Sequence, residues 1–335
     1  MVPRGESPSA PGGRSPSGGT PQRGKIARPK GPHRPWRLAG QLLVGVAGLV
    51  IGGGVLGLVW PPADPAALDQ ARDSAALSPL PDRPITVLVI GTDADRLGAT
   101  TNGAAPPGTP NSDALFLVRV DPKGPVQVLV LPTELAVKLP GQQQSLPLGA
   151  VYRRGGVALT ADVAAELVGL GKGQPDRYLL LSRGGLRQLV DALGSLELSP
   201  DRLMRYEDKA QKYTIDLQAG LQQLNGVQVE QLVRFREPAG GEAARRTRQQ
   251  QVISGLQQQL AQPTHLARLP DLVRQLRSGV ETNLSEAEVL SLLAATLGQS
   301  KPIRFASLPL EPPAEPAQAL RQLKREATLP LWPSP

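Results

Sequence analysis

The run ITVLVIG (85–91) is apolar and β-branched almost throughout and ends on Gly, the pattern of a strand buried on both faces. ALFLVRV (114–120) and PVQVLVL (125–131) share that character, and Asp121-Pro122-Lys123-Gly124 between them reads as a turn. The period then lengthens. VALTADVAAELVGL (157–170) places Ala158, Val163, Leu167 and Leu170 along one helical stripe. RYLLLS predicts a further strand, and LRQLVDALG (186–194) a helix stopped by Gly. Short strands are predicted at 195–198, 212–217 and 232–236, and helices over about 242–261, 264–277 and 285–298. Asn283 or Ser285 caps the last of these, and Ser285 with Glu288 makes a capping box. KPIRFASL supplies a final strand before a loose Pro-rich tail, 311–335. This alternation predicts one α/β domain over about 84–310, a mixed central sheet covered by helices.

Ahead of that domain the pattern is different. LAGQLLVGVAGLVIGGGVLGLVW (38–60) is 23 residues without a charge. At about 1.5 Å per residue, a helix of that length crosses a hydrocarbon core of about 30 Å. The apolar region of a cleaved signal peptide runs only about 7–15 residues, so the segment reads as a retained transmembrane helix. Residues 1–37 are more than half Pro, Gly and Ser and read as a disordered tail. Pro61, Pro62, Pro65, Pro79 and Pro81 make 61–83 a semi-rigid linker.

The formal charge of +8 changes meaning once it is divided. Residues 1–37 hold eight Lys/Arg against Glu6, a net +7, and the remainder holds 29 Lys/Arg and 28 Asp/Glu, a net +1. A basic tail before an apolar span predicts a cytoplasmic N-terminus, with everything after Trp60 on the periplasmic or cell-wall side of the membrane. The body is close to neutral and shows no groove-reading element, so nucleic acid is not an expected partner; the tail meets anionic lipid. There is no Cys, and His33 and His265 are the only histidines. That excludes a thiol nucleophile and argues against a Ser-His-Asp relay or a His-ligated zinc. A metal must be held by oxygen, which favours Mg²⁺ or Mn²⁺.

One stretch concentrates charge. LVRFREPAGGEAARRTRQQQ (232–251) carries Arg234, Arg236, Arg245, Arg246 and Arg248 against Glu237 and Glu242. In a strand, Arg234 and Arg236 share one face, opposite Val233 and Phe235. In the helix after it, Arg245 and Arg248 share a face and Arg246 turns away. Four guanidiniums brought together suit a diphosphate, whose oxygens they pair in bidentate fashion without losing charge. A solvated basic face is the plain alternative. Asp93 stands two residues past Gly91, where ligands gather in open α/β sheets, and Asp113 just precedes the next strand. If those strands pair antiparallel, both carboxylates reach one rim and can hold a divalent cation; either alone reads equally well as a turn residue.

In order, the chain offers ITVLVIGTD, NSDALFLVRVD, VLVLPTEL, AVYRRGG, RYLLLSRGGLRQLVDALG, LQQLNGVQVEQLVRFR and ARRTRQQQ. Together these resemble the LytR-CpsA-Psr family from about Ile85 to Gln251, with looser similarity beyond. The resemblance implies a three-layer α/β/α sandwich whose interior holds a prenyl chain, behind a single membrane anchor. It implies a Mg²⁺-dependent phosphotransferase that moves a glycan phosphate from a polyprenyl-diphosphate carrier to an envelope acceptor, commonly a peptidoglycan hydroxyl. By position, Asp93 and Asp113 match the family's Mg²⁺-associated aspartates at the catalytic centre. Arg234, Arg236, Arg245 and Arg248 match its diphosphate-binding arginines.

The chain also departs from the family. Leu131-Pro132-Thr133-Glu134 stands where the family usually reads Ile-Pro-Arg-Asp, and Gly149 stands where it has Asn. Asp95, followed by Arg96, takes a place where Arg is frequent, leaving Arg96, Arg153 and Arg154 as candidates to compensate. Thr133 favours a rival reading, a prenyl-phosphate binder without turnover. The family's historical label of transcriptional attenuator supplies another.

Overall fold

The structure, a computed structural model, describes residues 79–99, 108–209, 213–237, 241–299, 301–315 and 320–324. The expected tail (1–37), membrane span (38–60) and most of the linker (61–83) lie outside the described residues. Among the described residues, no helix is long and apolar enough to cross a membrane.

The chain runs through β1 (Ile85–Thr92), β2 (Ser112–Val120), β3 (Gln127–Val130), β4 (Ala136–Val137), β5 (Leu146–Pro147) and α1 (Val151–Val168). Next come β6 (Arg177–Leu181), α2 (Arg183–Ala192), β7 (Leu196–Leu198), β8 (Met204–Asp208), β9 (Tyr213–Leu217) and β10 (Gln222–Leu224). The last part holds α3 (Gly226–Arg234), α4 (Gly241–Leu260), α5 (Pro263–Leu266), α6 (Leu269–Leu276), β11 (Val280–Thr282), α7 (Glu286–Leu297) and β12 (Arg304–Ser307).

Six strands form one sheet in the order β11-β6-β1-β2-β3-β12. β1 is antiparallel to β2 and parallel to β6, so the sheet is mixed, as the alternation predicts. Side chains alternate between its faces. Leu88, Ile90, Leu115, Leu117 and Leu129 pack with Val163 and Ala164 of α1. Phe116, Val128 and Val130 pack on the opposite face with Ile253 of α4. Burying each such Leu or Val stabilises the fold by about 1.5–3 kcal/mol before chain entropy is counted. A third cluster, with Leu196, Leu198, Ile215, Leu217, Val229 and Leu232, joins β7, β9 and α3. The register of β1 on β2 skips once: Gly91 faces Ala114 and Thr92 faces Ser112. Asp113 is therefore the extra residue of a bulge, a device that re-aims a side chain at a sheet's end.

Residues 232–236, predicted as a strand, instead close α3. The Asn225 side chain accepts a hydrogen bond from Gln228 N at 3.0 Å, and Gln228 Oε1 accepts one from Asn225 N at 3.0 Å. That reciprocal cap starts a helix which runs through Arg234, and Phe235 leaves it with ψ 127°. Five residues of alternating polarity fit a short strand and a final helical turn with an extended exit equally well.

Other boundaries move for local reasons. α1 begins at Val151, but Gly155 and Gly156 break it, and its regular part starts at the predicted Val157. The predicted helix 264–277 is split into α5 and α6, with Pro270 in the first turn of α6, where a missing N–H costs nothing. β8, β10 and β11 have no counterpart in the sequence reading. The segment after 310 is not loose throughout, because main-chain pairing overrides its composition: Arg321 N donates to Glu134 O at 2.9 Å and Ala136 N donates to Arg321 O at 2.7 Å.

The capping box at Ser285 forms as predicted. Glu288 N donates to Ser285 Oγ at 3.2 Å and Ser285 N donates to Glu288 Oε2 at 2.8 Å. Hydrogen bonds from Ser285 and Arg177 hold the Glu288 carboxyl down to about 2. A carboxylate held low stabilises the fold above its ordinary range and loses that contribution as pH falls toward its folded value. Glu288→Gln is therefore expected to unfold at lower urea than the wild type at pH 7, with the gap narrowing as pH drops below about 4.5. Coincident unfolding curves at neutral pH would count against this assignment.

Candidate functional site

Because β1 and β2 are antiparallel, the end of one and the start of the other meet, and Asp93 and Asp113 share that rim. Asp93 is buried, 7% exposed. Its carboxylate accepts from Asn111 N at 3.1 Å, and its main-chain carbonyl accepts from Arg183 Nε at 2.8 Å. Burial, and then the negative charge of Asp113, raise the Asp93 carboxyl above the ordinary range, against the pull of Asn111 and Arg183. Two carboxylates that repel each other in this way are an oxygen donor set that a hard divalent cation would relieve, so the residues fit Mg²⁺ or Mn²⁺. Among the described residues no group of three or more acids and histidines could cage a metal. The remaining ligands would be substrate and water oxygens.

Arg236 and Arg245 meet at Asp113 from the two ends of the α3–α4 connection. Arg236 Nη2 lies 3.3 Å from Asp113 Oδ1 and its Nε lies 3.2 Å from Glu242 Oε1, yet its side chain stays 53% exposed. Arg245 is almost wholly buried. It donates to Glu242 Oε2 from Nε at 3.0 Å and Nη2 at 2.6 Å, to Asp113 O from Nη1 at 2.5 Å, and to Thr133 Oγ1 from Nη2 at 3.0 Å. Burial alone would raise Glu242, but the charges of Arg245 and Arg236 outweigh it and hold the carboxyl low.

Arg234 belongs to a second group, centred on Glu230. That carboxylate is 4% exposed and receives Arg183 at 2.8 Å, Arg234 at 3.3 Å and Arg187. Arg183 also reaches Asp95 at 2.6 Å, and the Arg234 guanidinium lies 4.3 Å from the Tyr213 ring centroid. Burial pushes the Tyr213 hydroxyl up to about 12. Arg183 thus ties Glu230 to the main chain of Asp93, which links the two groups.

Arg248 does not join either of them. Its guanidinium turns to the main chain, Nε to Leu232 O at 3.1 Å and Nη2 to Phe235 O at 2.5 Å, and clasps the exit of α3. Arg246 turns away, as helical spacing predicts, to an ion pair with Glu134. Of the six residues picked from the sequence, Asp113, Arg236 and Arg245 are directly joined at one rim, Asp93 shares that rim and feels the charge of Asp113, Arg234 is linked to Asp93 through Glu230 and Arg183, and Arg248 holds the connecting backbone. Asp95 is taken by Arg183 and Arg187. Arg153 lies beside Gly108, on the loop that leads to Asp113.

The sequence reading missed Arg183, Arg187, Glu230 and Glu242. A signal existed: Arg183 and Arg187, and likewise Glu230 and Arg234, stand four apart, the spacing that puts side chains on one helix face. Removing one partner from a buried cluster leaves uncompensated charge, so Glu230→Gln is expected to destabilise the protein by about 3–5 kcal/mol. Denaturant unfolding reads this directly, and a change within experimental error would show that Glu230 is not the centre of the cluster.

Comparison with known proteins bears on this geometry. The chain is 26% identical over 204 residues to the polyisoprenyl-teichoic acid–peptidoglycan teichoic acid transferase TagU of Enterococcus faecalis, covering 60% of this chain and 62% of that protein. It is 24% identical over 234 residues to biofilm regulatory protein A of Streptococcus mutans, covering 67% of this chain and 55% of that one. The chain thus spans roughly half to three-fifths of the length of these curated relatives. Its fold is that of B. subtilis TagV, with a TM-score of 0.59 and 20% identity over 73% of this chain and 91% of the other. The LytR_cpsA_psr family model matches residues 63–327, and the chain belongs to that family.

Proposed function

We propose that the protein is a membrane-anchored phosphotransferase of the cell envelope. It moves a glycan phosphate from a polyprenyl-diphosphate carrier to a hydroxyl of peptidoglycan or another wall polymer. One observation carries this reading: a buried, raised carboxylate at Asp93 shares a rim with Asp113, and a half-exposed guanidinium, Arg236, stands on Asp113. The activity stated in the E. faecalis relative's name supports it.

Phosphoryl transfer depends chiefly on positioning and on spreading negative charge, which is what this rim offers. Mg²⁺, held by Asp93 and Asp113, supplies neutralisation of the diphosphate when bound. Arg236 is exposed enough to take a diphosphate oxygen while Glu242 keeps its Nε in place. Arg234, fixed by Glu230 and Tyr213, adds a second positive charge beside it. Arg245 spends four of its five donors inside the protein and Arg248 is buried against the main chain at the exit of α3, so in this reading they shape the rim, and Arg236 and Arg234 meet the diphosphate. The apolar residues Val157, Leu159, Leu167 and Val168 of α1 pack against the sheet but stay only partly buried, which suits a lining for a prenyl chain. The uncharged segment 38–60 anchors the domain to the membrane that carries the lipid, on the side opposite the cytoplasm.

Transfer from a synthetic prenyl-diphosphate glycan, followed by release of prenyl phosphate, tests the assignment. Arg236→Ala and Asp93→Asn are each expected to slow it by about 100-fold or more with the circular dichroism spectrum unchanged. Near-normal transfer in both variants would remove these residues from the reaction. Wild-type protein that binds the lipid and releases no prenyl phosphate would instead support the reading of a binder without turnover, which Thr133 favours.

A further inference from the structure

We infer that Thr133 is a positioning residue: its hydroxyl, with the bare backbone of Gly149 beside it, fixes Arg245 on the main chain of Asp113 and so aims the Asp113 carboxylate. This rests on the transfer reading above and assigns a role inside the same site.

The donors of Arg245 are almost all engaged. A guanidinium has five N–H groups, and four of these are taken up, by Glu242 twice, by Asp113 O and by Thr133 Oγ1. A group so engaged and so buried acts through what it holds. What it holds is the bulge residue: Asp113 O accepts from Arg245 at 2.5 Å and from Gln249 at 3.3 Å. A bulge residue lacks the regular ladder, so these side chains decide where its carboxylate points.

Thr133 and Gly149 close the other side. Gly149 N donates to Thr133 O at 2.9 Å, and Ser112 Oγ donates to Gly149 O at 3.0 Å. A side chain begun at Gly149 would meet Ser112 O at 2.8 Å and Thr133 Cβ at 3.1 Å. Position 149 is thus bare for space, and anything larger there presses on Thr133 and on the residue preceding Asp113. Two of the places where this chain leaves the family's usual residues, Thr133 and Gly149, are therefore in contact. A cation at 133 would stand against Arg245, whereas a hydroxyl accepts from it. Thr133 and Gly149 together build a neutral seat for the Arg245 guanidinium.

The test uses the full chain in detergent with a synthetic prenyl-diphosphate glycan. Thr133→Val removes the hydroxyl at nearly constant volume. It is expected to lower kcat by about 10- to 100-fold, the usual effect of losing an orienting partner, and to leave KM for the donor unchanged. Thr133→Ser restores kcat. In ¹⁵N-arginine NMR the Arg245 Nη2–H signal, from the nitrogen that donates to Thr133 Oγ1, identified by its loss in Arg245→Lys, is slow to exchange in wild type and in Thr133→Ser, and fast in Thr133→Val. Gly149→Ala, with Thr133 intact, shows the same fast exchange. A Thr133→Val enzyme with wild-type kcat and a protected Arg245 signal would overturn the proposal. So would a raised KM with unchanged kcat, which would make Arg245 itself a donor ligand. If the wild type transfers nothing, the functional reading fails, and the exchange measurement still decides where Arg245 is held.

Discussion

Arg183, Arg245 and Arg248 have side chains at most 6% exposed, and a guanidinium does not shed its charge to escape burial. Each needs acceptors around it, and Arg183 and Arg245 draw theirs from segments far apart in sequence. Arg183 of α2 takes the Asp93 carbonyl, Asp95 and Glu230. Arg245 of α4 takes Glu242, the Asp113 carbonyl and Thr133. Arg248 takes two carbonyls at the exit of α3. The loops around the rim are held by these charges more than by strand pairing, because the ladder of β1 and β2 is interrupted where Asp113 sits.

This divides the arginines by burial. Those with little exposure spend their hydrogen bonds on main chain and carboxylates and fix geometry. Arg236, with about half its side chain in solvent, keeps charge available at the surface, and Arg234, 19% exposed, stands between the two, held by Glu230 and Tyr213. Burial is tolerated because the donors of Arg245 are nearly all bonded, and because Arg248, whose Nη1 makes no hydrogen bond, still has the Glu237 and Asp201 carboxylates at 3.9 and 4.0 Å. Burial raises Asp93, and the neighbouring acid Asp113 adds to it; burial would raise Glu242 as well, but its arginine neighbours outweigh that and hold it low.

Much of the fold was legible from the chain. Unbroken β-branched runs marked β1, β2 and β3, and the Ser285/Glu288 pair marked the start of α7. These are local signals, carried by the period of side chains and by groups within one turn of each other. The failures were also local: at 232–236 the helix was set by a cap seven residues upstream of Leu232, which the alternation of LVRFR hides. Of the site, Asp93 and Asp113 followed from strand ends plus one assumption, antiparallel pairing, that the sheet satisfies.

Sequence alone determined which charges exist, that no cysteine is present and histidine is scarce, and which segments are strand or helix where periodicity is strong. It left open the task of each arginine, because Arg234, Arg236, Arg245 and Arg248 are chemically the same group. Only the tertiary structure decided that, by setting how deep each guanidinium lies and which distant carbonyls and carboxylates surround it. Burial and long-range acceptors arise from chain segments up to 132 residues apart, as with Arg245 and Asp113, and no spacing along the chain encodes them.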